Sequence, residues 1–323
     1  MKRIGNLFND ICCIDNLELA DIKARKSKHK TKGVLSHDVE KDLNILKLNE
    51  ILMNKTFRTS EYKVFKINEG KERIISSLPY YPDRIVHHAI MNKLEPIFMS
   101  VFTTNTYSCI KGRGIHGAAN AVKKGLKDIP NTKYCLKLDI KQFYPSIDHD
   151  ILKQLLRRKI KDKDLMWLLD DIIDSSDGVP IGNYLSQFFA NLYLTYFDHW
   201  LKEVKKVRYY FRYADDIVIL HNSKEYLHKL LAEMREYLGD NLKLEIKNNY
   251  QIFPVAARGI DFVGYVFFHT HVLLRKRIKV SFARMMFSRR NTKSFSAYNG
   301  WTMHCDGKHL MKKLLLMNRY RFN

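Results

Sequence analysis

Acidic residues are scarce beside basic ones: 34 Asp and Glu face 56 Lys and Arg, a formal charge of +22 over 323 residues. Solubility needs far less charge, so a polyanionic partner is expected, nucleic acid first. Cysteine is sparse too, and Cys12, Cys13, Cys109, Cys135 and Cys305 are odd in number and scattered. That pattern excludes a disulfide framework and a paired-cysteine zinc site, and it fits a reducing interior. An apolar leader with a small-residue cleavage site is missing, since Asp10 and Asp15 follow closely on Arg3. No repeat, low-complexity tract or Pro/Gly-rich linker divides the chain. One stretch, 178–197, carries no charge over about a membrane-span length, but Asn183, Ser186, Gln187, Asn191 and three tyrosines interrupt it. It reads as a buried central helix entered through a loop, not as a membrane segment.

What is present is enough apolar side chain, 46% of residues, for a substantial core. Basic runs recur at 23–32, 157–163, 202–208, 275–279 and 289–293. Any one run reads as a solvated face, whereas recurrence along the whole length suggests a long cationic channel, because each neutralised phosphate contributes through counterion release. Apolar spacing predicts helices over 42–55, 84–98, 149–160 and 165–173. A hairpin is expected over 62–76, turning at Asn68, Glu69 and Gly70, with a strand at 134–140 and a strand pair over 209–220. Strands interleaved with long helices indicate an α+β or α/β fold.

Two segments carry acids where chemistry could use them. Alternation over 134–140 puts Tyr134, Leu136, Leu138 and Ile140 on one face and Cys135, Lys137 and Asp139 on the other, so Asp139 is expected opposite the core face. Asp215 and Asp216 lie between apolar β-formers, consistent with a tight turn that presents Asp215 to a cleft while Asp216 starts the returning strand. Taken singly, Asp139 reads as a strand end and Asp215-Asp216 as an ordinary turn. Together they suit nucleotidyl transfer, in which two divalent ions about 4 Å apart activate a hydroxyl and neutralise a leaving pyrophosphate. Carboxylates are the hard oxygen ligands that Mg²⁺ prefers.

Tyr213, Ala214, Asp215 and Asp216 resemble the YxDD box of reverse transcriptases, and Leu138-Asp-Ile-Lys-Gln-Phe-Tyr-Pro-Ser-Ile-Asp148 resembles their first catalytic motif. Similarity continues through 178–187 between these boxes and Phe262-Val-Gly-Tyr265 after them, with further matching segments at 83–86 and 108–114. The resemblance implies an α+β right-hand polymerase. Its N-terminal region and fingers would span 1–130, an antiparallel palm with helices 131–268, and a short, basic, helical thumb 269–323. It implies catalysis by Asp139, Asp215 and Asp216, which would hold two Mg²⁺ ions, or Mn²⁺, together with the backbone carbonyl of Ile140. Lys71 and Arg73 match the cations that hold the incoming triphosphate, and a guanidinium would do so bidentately. Tyr144 falls where the family keeps an aromatic gate against the ribose 2′-hydroxyl, while Phe143 reads as a core aromatic. Ile181 and Gln187 would contact the nucleotide, and Phe262, Val263, Gly264 and Tyr265 would grip the primer. In the fourth motif Asn248 stands where the family usually offers a lysine, with Lys247 beside it, so no general acid is assigned. The length leaves no room for a maturase, endonuclease or RNase H domain.

Among subfamilies, Pro180-Ile-Gly182 followed by Ser186-Gln187 differs from the Pro-Gln-Gly and later Ser-Pro of retron and group II intron enzymes. It resembles the reverse transcriptases of diversity-generating retroelements, as do Leu274-Arg-Lys-Arg277 and Tyr298-Asn-Gly-Trp301. A glutamine at position 181 would hydrogen-bond a base or nucleotide; isoleucine leaves discrimination to shape. Low fidelity is therefore expected, and the resemblance implies that it is strongest opposite template adenine. The implied partners are dNTPs, an RNA template with its primer and cDNA, and a small oligomeric accessory variability protein, and the implied place is the cytoplasm, for a bacterial or phage-encoded protein. Two other readings stay open: a defence-associated reverse transcriptase of the abortive-infection kind, and a non-catalytic RNA-binding scaffold.

Overall fold

The computed structural model describes residues 3–68, 72–287 and 292–319, and the chain folds as two units. The first takes in Met1–Thr103, Gln142–Phe197 and Gly239–Leu244. Its helices form where apolar residues recur every three or four positions. Helix Ile14–Ala24 buries Leu17, Ala20 and Ala24, and helix Lys41–Met53 buries Ile45, Leu48 and Leu52. Helix Ile14–Ala24 packs against both helix Lys41–Met53 and helix Ile85–Met99, whose Ile85, Ala89 and Leu94 are fully buried. Helices His149–Arg157 and Lys163–Asp174 start at Asp148 and Asp162, whose carboxylates accept the first free backbone N–H groups. The uncharged stretch forms helix Tyr184–His199, entered through a loop. Its Leu192, Tyr193 and Leu194 are fully buried. Among the described residues no helix is long and apolar enough to cross a membrane.

The expected hairpin is present as β1 (Lys63–Asn68) and β2 (Glu72–Ser77), antiparallel from Lys63 opposite Ser77 to Asn68 opposite Glu72. Glu69, Gly70 and Lys71 of its turn lie outside the described residues.

The second unit, Thr104–Lys141, Asp198–Leu238 and Glu245–Asn323, holds a four-stranded antiparallel sheet. Its strands are β3 (Tyr134–Asp139), β4 (Tyr209–Tyr213), β5 (Asp216–His221) and β6 (Gln251–Pro254), in the order β4-β5-β3-β6. The single core face expected for β3 needs correcting. Leu136 and Leu138 are buried, but so is Cys135 on the opposite face, where helix Gly114–Gly125 lays Ala118, Ala119 and Val122 beside Phe211 and Val218. That second face opens only at Lys137 and Asp139, which are half-exposed.

A three-stranded sheet follows, of β7 (Ile260–Phe262), β8 (Tyr265–Phe267) and β9 (Val272–Leu274), and then helices Lys276–Phe287, Thr292–Thr302 and Lys308–Arg319. Lys312 and Lys313 are exposed on the last helix. Arg289, Arg290 and Arg321, also expected in a basic C-terminal surface, lie outside the described residues. Antiparallel sheets with helices packed against them make the fold α+β.

Val263 and Gly264 turn β7 into β8 with φ of 42° and 90°. A Cβ on Gly264 would sit 2.4 Å from Trp301 Cζ3, so glycine lets the helix carrying Trp301 close onto the turn. Gly264→Ala is expected to cost about 2–4 kcal/mol in urea unfolding, from backbone strain plus overpacking. Gly300→Ala, in the same helix with open space around its Cβ, is expected to be neutral or to stabilise by up to about 1 kcal/mol. Equal effects at the two positions would remove the close approach as the reason for Gly264.

Candidate active site

The acids gather at one end of the four-stranded sheet. Cross-strand register places Asp139, the last residue of β3, opposite Asp216, the first of β5. Asp215 stands in the turn between β4 and β5, directly after Ala214, whose φ of 53° lies in the left-handed region. A non-glycine residue there needs support from its surroundings.

That support is a buried ion pair under the turn. Arg212 and Asp198 are both fully buried. The guanidinium grips the carboxylate through both oxygens, at 2.8 Å from Nε and 2.5 Å from Nη2. Its Nη1 donates to the Ala214 carbonyl at 3.1 Å. Thr106 Oγ1 donates to Asp198 at 3.0 Å, and Tyr210 Oη donates to it at 2.5 Å. Burial works against the Arg212 charge, and Asp198 more than restores it. Burial and the same carboxylate push the Tyr210 phenol well above its ordinary range.

Two lysines face the acids. Lys247 donates to Asp139 Oδ2 at 3.2 Å, and its backbone N–H bonds the Asp139 carbonyl at 2.9 Å. Lys137 Nζ is 3.8 Å from Asp216 Oδ1 and also donates to the Asp261 carbonyl on β7. Asp216 Oδ1 itself is buried with no hydrogen-bond partner. Burial, then the Asp139 and Asp215 charges, push the Asp216 carboxyl up to about 7 against the pull of Lys137 and Arg275. Among the described residues no three His, Cys, Asp or Glu side chains are arranged as a finished metal cage. The donor set nevertheless fits a hard divalent cation: clustered carboxylate oxygens, one of them orphaned, held at a raised proton affinity that a cation would reverse. Ile140 is fully buried and bridges Ile246.

Phe262 and Tyr265 are fully buried, so the predicted primer grip offers its β7–β8 turn rather than these rings. The Tyr265 hydroxyl donates to the Trp301 carbonyl at 3.1 Å.

The remaining predicted residues belong to the first unit. Tyr144 is half-buried, its ring edge-on to Phe143 at 5.5 Å, and Phe143 is a core residue as expected. The Tyr144 carbonyl accepts from Val179 N–H at 2.9 Å. Gly178, with φ of 59°, lies so close to Pro145 that a Cβ would fall 2.5 Å from its carbonyl oxygen. The Ile181 carbonyl accepts from Ser76 N–H at 2.8 Å, which ties its loop to β2. Gln187 is exposed on helix Tyr184–His199. Arg73 pairs with Ile67 in the hairpin backbone, while its side chain, like Lys71, lies outside the described residues.

Sequence reasoning missed Asp198, Arg212 and the part played by Lys137. A signal for the first pair was available. Asp198 is the first charge after the uncharged stretch, and Arg212 is the lone cation among β-formers.

Asp198→Asn keeps the shape of the carboxylate but leaves a buried guanidinium uncompensated. It is expected to cost about 3–5 kcal/mol in denaturant unfolding; a cost within experimental error would show that water or another acid replaces Asp198. Asp216→Asn removes one of three crowded charges. In EDTA it is expected to melt above the parent, and added Mg²⁺ or Mn²⁺ is expected to stabilise the parent but not the variant.

The sequence pattern described as Reverse transcriptase (RNA-dependent DNA polymerase) matches residues 63–267, more than half the chain. Protein YkfC of Escherichia coli K12 is 28% identical over 264 residues, covering 68% of either chain. The Retron Ec73 reverse transcriptase of Escherichia coli is 29% identical over 223 residues, covering 62% of this chain and 67% of its own. Among solved structures, telomerase from Candida tropicalis in complex with a fragment of telomeric RNA superposes with a TM-score of 0.51 at 14% identity, over 80% of this chain and 52% of its own. This likeness shows the right-hand polymerase fold, and the chain spans about half the length of that telomerase. With Asp139, Asp215 and Asp216 all inside the matched span, the chain belongs to the reverse transcriptase family.

Proposed function

We propose that this protein is an RNA-directed DNA polymerase that makes error-prone, adenine-mutagenised cDNA from a template-repeat RNA in a diversity-generating retroelement. The observation that carries the polymerase reading is the register of Asp139 with Asp216, beside a turn held by the buried Arg212. Asp139 and Asp215, with Asp216 and the Ile140 carbonyl, would hold two divalent ions, Mg²⁺ or Mn²⁺. When bound, these ions supply a more nucleophilic primer 3′-hydroxyl and a neutralised pyrophosphate.

The chain's own residues do the rest. Lys137 and Lys247 keep Asp216 and Asp139 in place against their mutual repulsion. Lys71 and Arg73, at and beside the turn of the β1–β2 hairpin, would receive the triphosphate. Tyr144 excludes a ribose 2′-hydroxyl, and Ile181 and Gln187 border the nucleotide. The β7–β8 turn at Val263 and Gly264 steadies the primer. Residues 1–130 act as N-terminal region and fingers, 131–268 as palm and 269–323 as thumb. Ile181 supports low fidelity: with an apolar side chain where a glutamine would hydrogen-bond, selection rests on shape, worth only about 1–3 kcal/mol per small group. RNA template, primer, dNTPs and a small oligomeric accessory protein are the partners of this cytoplasmic, bacterial or phage-encoded enzyme.

The test is sequencing of cDNA made by the purified protein, with accessory protein and cognate RNA, beside an Asp215→Asn/Asp216→Asn control. Product that is lost in the control and altered mainly at template adenines is expected. Faithful or untemplated product would instead favour a defence-type reverse transcriptase, and RNA binding without any product would leave a scaffold.

A further inference from the structure

Several cations of the first unit are tied to acids. Arg157 pairs with Asp170 at 2.6 Å, Lys153 with Asp174 at 2.6 Å and Lys243 with Asp148 at 2.6 Å. Lys28 and Arg84 are different. They share the wall of a cavity of about 210 Å³ that no carboxylate lines. Neither side chain has an ion-pair or hydrogen-bond partner among the described residues.

Three elements build this cavity. Lys28 comes from the turn after helix Ile14–Ala24; Arg84, just before helix Ile85–Met99, and His87 and His88 within it form a second wall; and the loop residues Gly182 and Asn183 close it with Tyr184 and Gln187 of the first turn of helix Tyr184–His199. A helix start adds partial positive charge and unspent N–H donors. The His88 ring stacks on Tyr184 at 4.4 Å between centroids. His87 is 1% exposed, and its Nε2 has no hydrogen-bond partner. His88 and Lys28 feel uncompensated positive charge. Burial, then Lys28 and Arg84, push His88 down to about 4, while burial and Arg84 lower Lys28. Asp83, next in sequence to Arg84, is no partner for it: the carboxylate is fully buried and accepts from Ser60 N–H at 2.9 Å.

We propose that this cavity is a phosphate site for a single RNA strand, with a backbone phosphate held by Lys28 and Arg84. Uncompensated cations, a helix start and an unspent buried imidazole together call for an oxyanion. The aromatic stack beside them suits a nucleotide strand better than a free ion, because bases stack on such rings. The choice of a strand rests on the polymerase reading; the oxyanion site does not.

The test uses the full chain and a fluorescein-labelled single-stranded RNA in EDTA, read by anisotropy across a salt series, so it needs no DNA synthesis. Arg84→Gln and Lys28→Gln are each expected to weaken binding about tenfold, the worth of one charge-assisted hydrogen bond. Each should also flatten the salt dependence by about 0.7 for a lost phosphate contact. Lys30→Gln, from the same basic run but not lining the cavity, controls for general charge loss. Arg84→Lys should recover part of the affinity, and melting temperatures should show both variants folded. If Arg84→Gln and Lys28→Gln bind RNA no worse than Lys30→Gln, the site is not on the RNA path. If RNA binding holds while the KM for dNTP in primer extension rises, the oxyanion is the nucleotide triphosphate and the strand assignment is overturned. A wild-type protein that binds RNA in this way yet extends no primer would sink the polymerase reading and leave the cavity's role standing.

Discussion

The Asp198–Arg212 pair is the constraint on which the carboxylate end of the sheet depends. Removing two charges from water costs several kcal/mol each, and only close geometry and full hydrogen bonding offset that cost. Here both conditions are met: the guanidinium is bidentate, and Thr106 and Tyr210 donate to the carboxylate. Such a pair adds little net stability over an apolar replacement of the same shape. What it adds is a donor, Nη1, aimed at the Ala214 carbonyl beneath a turn of positive φ. An apolar core could fill the same volume but could not hold a carbonyl, so the polar solution fixes where Asp215 and Asp216 begin.

The same end of the sheet carries a conflict that folding alone would not select. Asp139 and Asp216 face each other across two strands, Asp215 adjoins them, and Asp216 keeps a buried oxygen with no hydrogen bond. Burial first, and then the neighbouring acids, resist its ionisation and raise the proton affinity of Asp216. Lys247 and Lys137 reduce the conflict from the sides at 3.2 and 3.8 Å without closing over the acids. A fold that spends stability at one place, with its supports aligned around that place, marks a site built for a charged visitor.

Much of this was legible in the sequence, for local reasons. Strand β3, the β4–β5 pair and the β1–β2 hairpin follow from alternation and turn residues, and the helices from three-and-four spacing, within a few residues at each end. The register of Asp139 with Asp216 follows once β3 and β5 pair with Leu138 opposite Ile217. What could not be read was set by distant segments. Cys135 looked outward by alternation and is buried, because helix Gly114–Gly125 covers that face. Arg212 stood out as the lone cation among β-formers, but which acid it meets is set by packing, since that partner lies 14 positions away at the end of another element. Phe262 and Tyr265 matched a grip motif, yet their rings belong to the core.

The large positive charge illustrates the same limit most clearly. Five basic runs suggested a continuous channel, yet in the folded chain a cation's meaning depends on which acid it meets. Arg25, from the first run, is spent on Asp21 and Asp38 at 2.6 and 2.8 Å, while Lys28, three residues on, meets no acid and opens onto a cavity. The first has its field cancelled within the fold, and the second has it left for a ligand. Composition therefore sets how much charge must be balanced from outside, and packing decides where. Counting runs overstates the binding surface, because paired cations contribute little counterion release. Unpaired cations are informative where they line a recess that no acid enters, as Lys28 and Arg84 do, and an acid is informative where, like Asp216, it keeps a buried oxygen without a hydrogen bond.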